Sequence, residues 1–500
     1  MAVVAFGVFV AADDLMVVAT MLRPMIDDFG LIVPDDLDAA AWIVNTYLVA
    51  YVAVMPVAGR LSDLFGRRAV YVAAMALFAL GSLIVPAADG LATLYLGRVL
   101  TAVGGGALVP VAFAVAADLH RGAERARALG LLAAIETVGW VWGPLYGAIL
   151  VRFLTWRWQF HLNVVLATAA IVVALRVLPA GVAGASAARR RLTDVDWFGP
   201  LALTGALVAF SLALLGGARV QTVSGLDQLT DSGRGWAGPW LYPIGLVALG
   251  LFAWRERRTA SPLVDPALRG DRPALAALAV NLLVSVGLVV TLINVPLFVN
   301  IVEGGVTDSA VRAGWLLTAF TATMAATSYL GGVLTGSRGA RLPTAAGLAV
   351  AGVGLTTMGV VWEPATSPVA MATHLAVAGA GIGLVLAPTS AAVIDAVDDD
   401  ARGLASGLVI VARLIGFSIG LAALTAWGLR RYDTLRTGVE LPALTDPGYA
   451  DAVADATRDV STTALAETFI GGAIAVVVAL AVARLLAPGP ARQAQDRTTA

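Results

Sequence analysis

Gly59-Arg60-Leu61-Ser62-Asp63-Leu64-Phe65-Gly66-Arg67-Arg68 is a short charged stretch, bounded by glycines, between two long apolar runs. A degenerate second copy, Gly332-Val333-Leu334-Thr335-Gly336-Ser337-Arg338-Gly339-Ala340-Arg341, matches it without a gap at both glycines, at the leucine and at the final arginine. A loop motif repeated this far apart implies a duplicated unit several helices long. Working outward from the two copies, apolar stretches fall near 2–22, 41–59, 69–87, 91–116, 128–151, 159–178, 197–216, 239–254, 274–301, 312–334, 344–361, 371–394, 404–429 and 465–487. The motif follows the second and the tenth of these. Two six-helix halves with spans seven and eight inserted between them account for that spacing, and transporters are commonly built from such repeats.

Composition agrees. Of 500 residues, 59% are apolar and 13% charged, whereas soluble domains carry about a quarter charged residues. At about 20 apolar residues per helical crossing, the chain can fill roughly fourteen spans. Long apolar runs without alternation exclude an outer-membrane barrel. The expected fold class is therefore an all-α polytopic membrane protein with fourteen transmembrane helices. The expected layout is a six-helix half over 1–178, a linker with two inserted helices over 179–273, a second half over 274–487 and a tail over 488–500. Near 430–463 a helical extension is expected on the outer side, because no proline interrupts residues 402–440.

The 33 basic and 34 acidic residues nearly cancel, so no global field points to nucleic acid. With no cysteine and three histidines, neither a metal centre nor a thiol enzyme is expected, and no cofactor is called for. Arginines cluster in alternate connections, at Arg60, Arg67, Arg68, Arg121, Arg125, Arg127, Arg189–Arg191, Arg255, Arg257, Arg258, Arg338 and Arg341. The opposite connections are poorer in arginine and often acidic, as at Asp35, Asp36 and Asp38; Arg430, Arg431 and Arg436 are an exception. The arginine bias puts both termini in the cytoplasm of a multi-pass inner-membrane protein.

The stretch Gly59, Asp63, Gly66, Arg67, Arg68 fits G-x-L-x-D-x-x-G-R-R, and so resembles the signature of the major facilitator superfamily. In that loop Asp63 is expected to cap the helix that follows it. Span five carries Glu136-x-x-Gly139-x-x-x-Gly143-Pro144-x-x-Gly147 and resembles the antiporter motif of the superfamily, with Ala148 where a last glycine would stand. The block Trp156-Arg157-Trp158-Gln159-Phe160-His161-Leu162-Asn163-Val164 is similar to one found in fourteen-helix drug:proton antiporters. Span four, Arg98-x-x-Thr101-Ala102-x-Gly104-x-Gly106, resembles an R-x-x-Q-G-x-G-x-A pattern but has Thr and Ala for Gln and Gly. Arg98 there either serves the interior or snorkels to the interface. Further matches at Ala12-Asp13-Asp14, Ala134-Ile135-Glu136 and Val411-Ala412-Arg413 resemble a mycobacterial branch that exports triacylglycerol-type lipid with a partner lipoprotein. That resemblance implies proton coupling through Asp14, Glu136 and Arg413, an inner gate at Asp63 and Arg67, a lipophilic or lipid substrate and a lipid-carrier lipoprotein as partner.

Physical chemistry singles out the same three ionic residues. A charge at the bilayer centre costs several kcal/mol unless it is paired or faces a cavity, so three in separate spans are expected to converge. On a helical wheel Glu136 shares a face with Gly143 and Gly147, and Arg413 with Gly416 and Gly420. Asp13 and Asp14 cannot share a face, and which of them is the interior acid stays open. A purely structural buried ion pair is the bland alternative. Among functions, export of lipid competes with multidrug efflux. A non-transporting sensor or a membrane-embedded enzyme are the readings from other classes, the enzyme disfavoured because the Asp35–Asp38 and Asp398–Asp400 clusters fall on opposite sides. His161 and His374 are expected to make interface hydrogen bonds, and Asn294 either lines a cavity or repairs the helix break at Pro296.

Overall fold

The computed structural model describes residues 1–31, 37–179, 198–217, 240–259, 268, 270–303, 306–439 and 448–488. Every regular element among them is helical. Among the described residues fourteen α-helices run as α1 (Ala2–Asp28), α2 (Leu37–Phe65), α3 (Arg67–Ile84), α4 (Leu91–Leu119), α5 (Gly122–Phe153), α6 (Arg157–Val177), α7 (Phe198–Gly217), α8 (Leu241–Glu256), α9 (Arg272–Glu303), α10 (Val306–Arg338), α11 (Arg341–Val361), α12 (Pro368–Ile394), α13 (Arg402–Thr437) and α14 (Tyr449–Val482). Among the described residues ten of them, α2–α4, α6 and α9–α14, are long and apolar enough to cross a membrane by their own composition. The fold class is the expected all-α polytopic one. Asp35, Asp36, Arg189–Arg191 and the tail beyond residue 488 lie outside the described residues, as does the side chain of Asp38.

Two compact units divide the chain, Met1–Leu275 with Ser390–Val411, and Ala276–Thr389 with Ala412–Ala500. In the first, glycine decides how closely helices approach. A Cβ on Gly104 would come 2.5 Å from the Phe78 nitrogen on α3, and one on Gly106 2.5 Å from the Tyr51 carbonyl on α2. Span four is therefore wedged between spans two and three. On α5, a Cβ at Gly139 would stand 2.8 Å from the Phe9 carbonyl, and one at Gly143 2.8 Å from the Asp13 carbonyl, so α1 and α5 touch backbone to backbone.

The second unit repeats this plan. Gly379 and Gly383 press α12 onto Phe320 and Met324 of α10, and Gly381 presses it onto Ala351 of α11. Gly416 and Gly420 press α13 onto Leu282 and Val286 of α9. The duplication announced by the loop motif is thus carried through the helix packing, and Glu136-x-x-Gly139-x-x-x-Gly143 of α5 corresponds to Arg413-x-x-Gly416-x-x-x-Gly420 of α13.

The motif itself is not a ten-residue loop. Helix α2 runs to Phe65 and α3 starts at Arg67, leaving Gly66 alone at φ 88°; in the second copy Gly339, at φ 74°, separates α10 from α11. Only glycine takes that left-handed backbone without strain, which is why both copies keep it.

Helix α13 is 36 residues long, about 54 Å at 1.5 Å per residue. Its apolar stretch runs on to Leu429, ahead of Arg430 and Arg431. Beyond that stretch it pairs with α14 through a two-pronged ion pair, Arg431 Nε and Nη2 donating to the Glu467 carboxylate at 2.7 and 2.9 Å.

Candidate functional site

A buried polar cluster lies inside the first unit. Asp14 is fully buried, and so is Arg98. Their ion pair, Arg98 Nη1 to Asp14 Oδ2, measures 3.1 Å. The other carboxylate oxygen accepts from Asn163 Nδ2 at 2.8 Å. The guanidinium carbon of Arg98 sits 4.2 Å from the centre of the Tyr47 ring, a cation–π contact that is strongest where water is absent. Four helices supply this cluster: α1, α2, α4 and α6. The tight glycine contacts of α4 bring Arg98 inward, and the snorkelling alternative falls with its complete burial.

Asp13 is 6% exposed and points elsewhere. Its Oδ2 accepts from Gln159 Nε2 at 3.0 Å, and the same amide nitrogen lies 3.2 Å from Asn163 Oδ1. Gln159 and Asn163 therefore link the two acids, one helical turn apart on α6. Both acids are interior, on different faces of α1, and Asp14 is the one with a cationic partner. Sequence reasoning quoted Gln159, Asn163 and Arg98 without giving them this task, and did not single out Tyr47. Two amides at i, i+4 inside an apolar span were the available signal.

Glu136 and Arg413 are buried as expected, at 3% and 1% exposure. They hold equivalent positions in the two copies of the fold.

A second cluster gathers at one end of the first unit. Asp63 accepts hydrogen bonds from the backbone nitrogens of Gly403 and Leu404 at 2.9 and 3.1 Å and pairs with Arg67. Arg67 also donates to Ser62 at 2.7 Å and to Asp118 at 2.9 Å, and Arg402 lies 3.4 Å from Asp118. Arg125 pairs with Asp395. The expectation that Asp63 caps the following helix is corrected here: it caps the start of α13, and the N-cap of α3 is Gly66 without a side-chain bond. The reason is geometric. Asp63 belongs to the last turn of α2, and Gly66 turns α3 away from it. Gly59 and Gly403, neither with room for a Cβ against the other, let α13 come close enough. An acid at a helix N-terminus satisfies free N–H groups and complements the helix dipole.

In the second unit Asn294 donates to Thr468 Oγ1 of α14 at 2.6 Å, and His374 bonds the Trp362 indole at 3.2 Å. Asn294 thus ties two helices together.

Buried acids paired with arginine inside a glycine-packed, duplicated bundle are features of a transporter core. Residues 4–311 match the Major Facilitator Superfamily. This chain belongs to that superfamily. It is similar to a triacylglyceride transporter of Mycolicibacterium smegmatis, with 35% identity over 468 residues, 90% of this chain and 79% of that protein. A probable triacylglyceride transporter of Mycobacterium leprae is 34% identical over 498 residues, 94% of this chain and 92% of that protein. Among solved structures, the major facilitator proton:xylose symporter XylE bound to 6-bromo-6-deoxy-D-glucose superposes with a TM-score of 0.59 at 14% identity, covering 94% of this chain and 93% of that one. The human organic anion transporter MFSD10 does so at 0.58 and 13%, covering 96% and 98%. At those identities the structural likeness speaks for the fold alone. The molecule is a multi-pass membrane transporter of the major facilitator superfamily.

Proposed function

We propose that this major facilitator exports a lipophilic substrate of the triacylglycerol type across the bacterial cytoplasmic membrane, by proton antiport with alternating access. The observation that carries the coupling is the buried cluster on α1, α4 and α6. A carboxylate that can be neutral or ionised beside a fixed guanidinium offers two charge states, each favouring a different arrangement of the helices around it. The α1 acids and Glu136 exchange protons in this reading, and Arg413 supplies a countercharge. Asp63 and Arg67 latch the cytoplasmic end through the start of α13, with both chain termini on that side.

The lipid assignment rests on the triacylglyceride transporters to which nearly the whole chain is similar. It gains support from α13. The eight residues from Arg430 to Thr437 add about 12 Å of helix beyond the apolar stretch, which ends near Leu429. A projection of that length, braced by α14, shields acyl chains whose exposure costs about 0.8 kcal/mol per CH₂ and offers a surface to a lipid-carrier lipoprotein. The bilayer lipids are the medium from which the substrate comes.

The test is uptake of a fluorescent triacylglycerol into proteoliposomes under an imposed proton gradient. Asp14→Asn, Glu136→Gln and Arg413→Ala should each abolish gradient-driven movement while the protein stays folded and monodisperse. Full activity of Asp14→Asn or Glu136→Gln reduces these residues to structural pairing. Movement of small amphiphilic cations with none of triacylglycerol assigns the protein to multidrug efflux instead.

A further inference from the structure

Two adjacent acids on α1 are buried in unequal surroundings. Asp14 has both oxygens engaged, one by Arg98 and one by Asn163. As an anion it is matched. Asp13 has a single neutral donor, Gln159, and its Oδ1 is buried with no hydrogen-bond partner. The backbone of α5 approaches that oxygen closely: a Cβ at Gly143 would stand 3.4 Å from it. Among the described residues, the charged and polar groups facing Asp13 are Asp14 on its own helix, the neutral amide Gln159 on α6, itself bonded to Asn163, and Tyr146 on α5; Arg98 on α4, stacked on Tyr47 of α2, faces Asp14. The one cation among the groups on α2, α4 and α6 is already paired with Asp14.

An ionised carboxylate with one neutral hydrogen bond and a buried bare oxygen costs several kcal/mol, and such groups take up a proton instead. A second negative charge next to Asp14 adds to that cost, since neighbouring carboxylates that cannot both ionise hold a proton between them. Gln159 and Asn163 join the two acids by hydrogen bonds, so the pair acts as one unit with one exchangeable proton.

We propose that in this conformation the exchangeable proton of the α1 pair resides on Asp13, while Asp14 remains the ionised partner of Arg98. This rests on the proton-antiport reading and deepens it: loading is the formation of an O–H bond on Asp13 with a proton from one aqueous phase, and unloading returns that proton to the other. Asp14 is indispensable for a different reason, because without it Arg98 is a buried cation with no countercharge. The glycine contact places the loading atom directly against α5, the helix that carries Glu136.

Two measurements on the full chain test this. In difference infrared spectra between neutral and alkaline pH, the wild type should show the carbonyl band of a protonated carboxylic acid, lost in Asp13→Asn and kept in Asp14→Asn. In proteoliposomes with a fluorescent triacylglycerol as probe, Asp13→Asn should lose gradient-driven accumulation but keep downhill exchange, and Asp13→Glu should restore the response to the gradient. A spectrum of Asp13→Asn that keeps every carboxylic acid band of the wild type, or gradient-driven transport by that variant equal to wild type, overturns the proposal. A wild type that ignores the gradient yet shows the Asp13 band sinks the antiport reading and leaves the protonated Asp13 standing. Should Asp13→Asn not fold, Asp13→Glu decides alone: its carbonyl band must move in frequency, and an unmoved band assigns the proton elsewhere.

Discussion

The two copies of the repeat share a backbone and differ in charge. Gly66 and Gly339 make the same left-handed break, and the glycine pairs of α5 and α13 press the same way onto α1 and α9. Yet the offset that carries Gly59 to Gly332 carries Asp13, Asp14, Tyr47 and Asp63 to Val286, Gly287, Phe320 and Gly336. The first copy holds an acid cluster and an ionic latch where the second holds packing. Both copies keep an arginine at Arg68 and Arg341, and both keep a charge at Glu136 and Arg413, there of opposite sign. Helix geometry is thus the inherited part of this fold. Buried charge, which costs several kcal/mol wherever it is not matched, is kept only in places with a task.

That contrast can be broken most forcefully at Asp63. Removing its charge takes from Arg67 one of its two carboxylates, leaving Asp118, and from the start of α13 one of its two acceptors, and breaking a buried pair costs up to about 3–5 kcal/mol. Asp63→Asn should lower the thermal midpoint in detergent by a corresponding amount and cut turnover while substrate affinity is kept. Lost affinity with normal turnover would place Asp63 in the substrate path. A smaller effect is expected when the shared scaffold is disturbed. Gly143→Ala and Gly420→Ala should each cost about 1–3 kcal/mol through overpacking, equally in the two copies, but only Gly143→Ala should alter the response of transport to a proton gradient. Equal loss of coupling in both variants would mean that the copies share the function as well as the shape. The smallest effect belongs to Gly336→Asp, which puts the missing acid back into the second loop. With no arginine at Ala340 to receive it, stability should change by no more than about 0.5 kcal/mol, and transport should be unaltered.

Much of this was legible in the sequence because lipid imposes a simple rule: each crossing must be a long apolar helix. The apolar runs located the helices, and the duplicated motif located the repeat. The runs were shorter than the helices they marked, 404–429 against Arg402–Thr437, because a helix that continues past the apolar layer ceases to look apolar. Burial of Asp14, Glu136 and Arg413 followed from their cost. What stayed hidden was pairing between distant spans. Nothing along the chain says that Arg98 meets Asp14, or that Asp63 reaches residues 403 and 404 in place of its own neighbour in sequence. Those contacts depend on glycines whose spacing was readable but whose facing helix was not.

The bare contact between α1 and α5 has a mechanical meaning. Most helix pairs meet through side chains, and a small shift of one helix is absorbed by rotamers before the other feels it. Gly139 and Gly143 put no such cushion between α5 and the peptide groups of Phe9 and Asp13. It is a joint without backlash: packed interiors deform little, so a displacement of a fraction of an ångström in either helix arrives in the other undiminished. An acid mounted on such a joint reports its charge state as position, with no intervening part to wear that signal down.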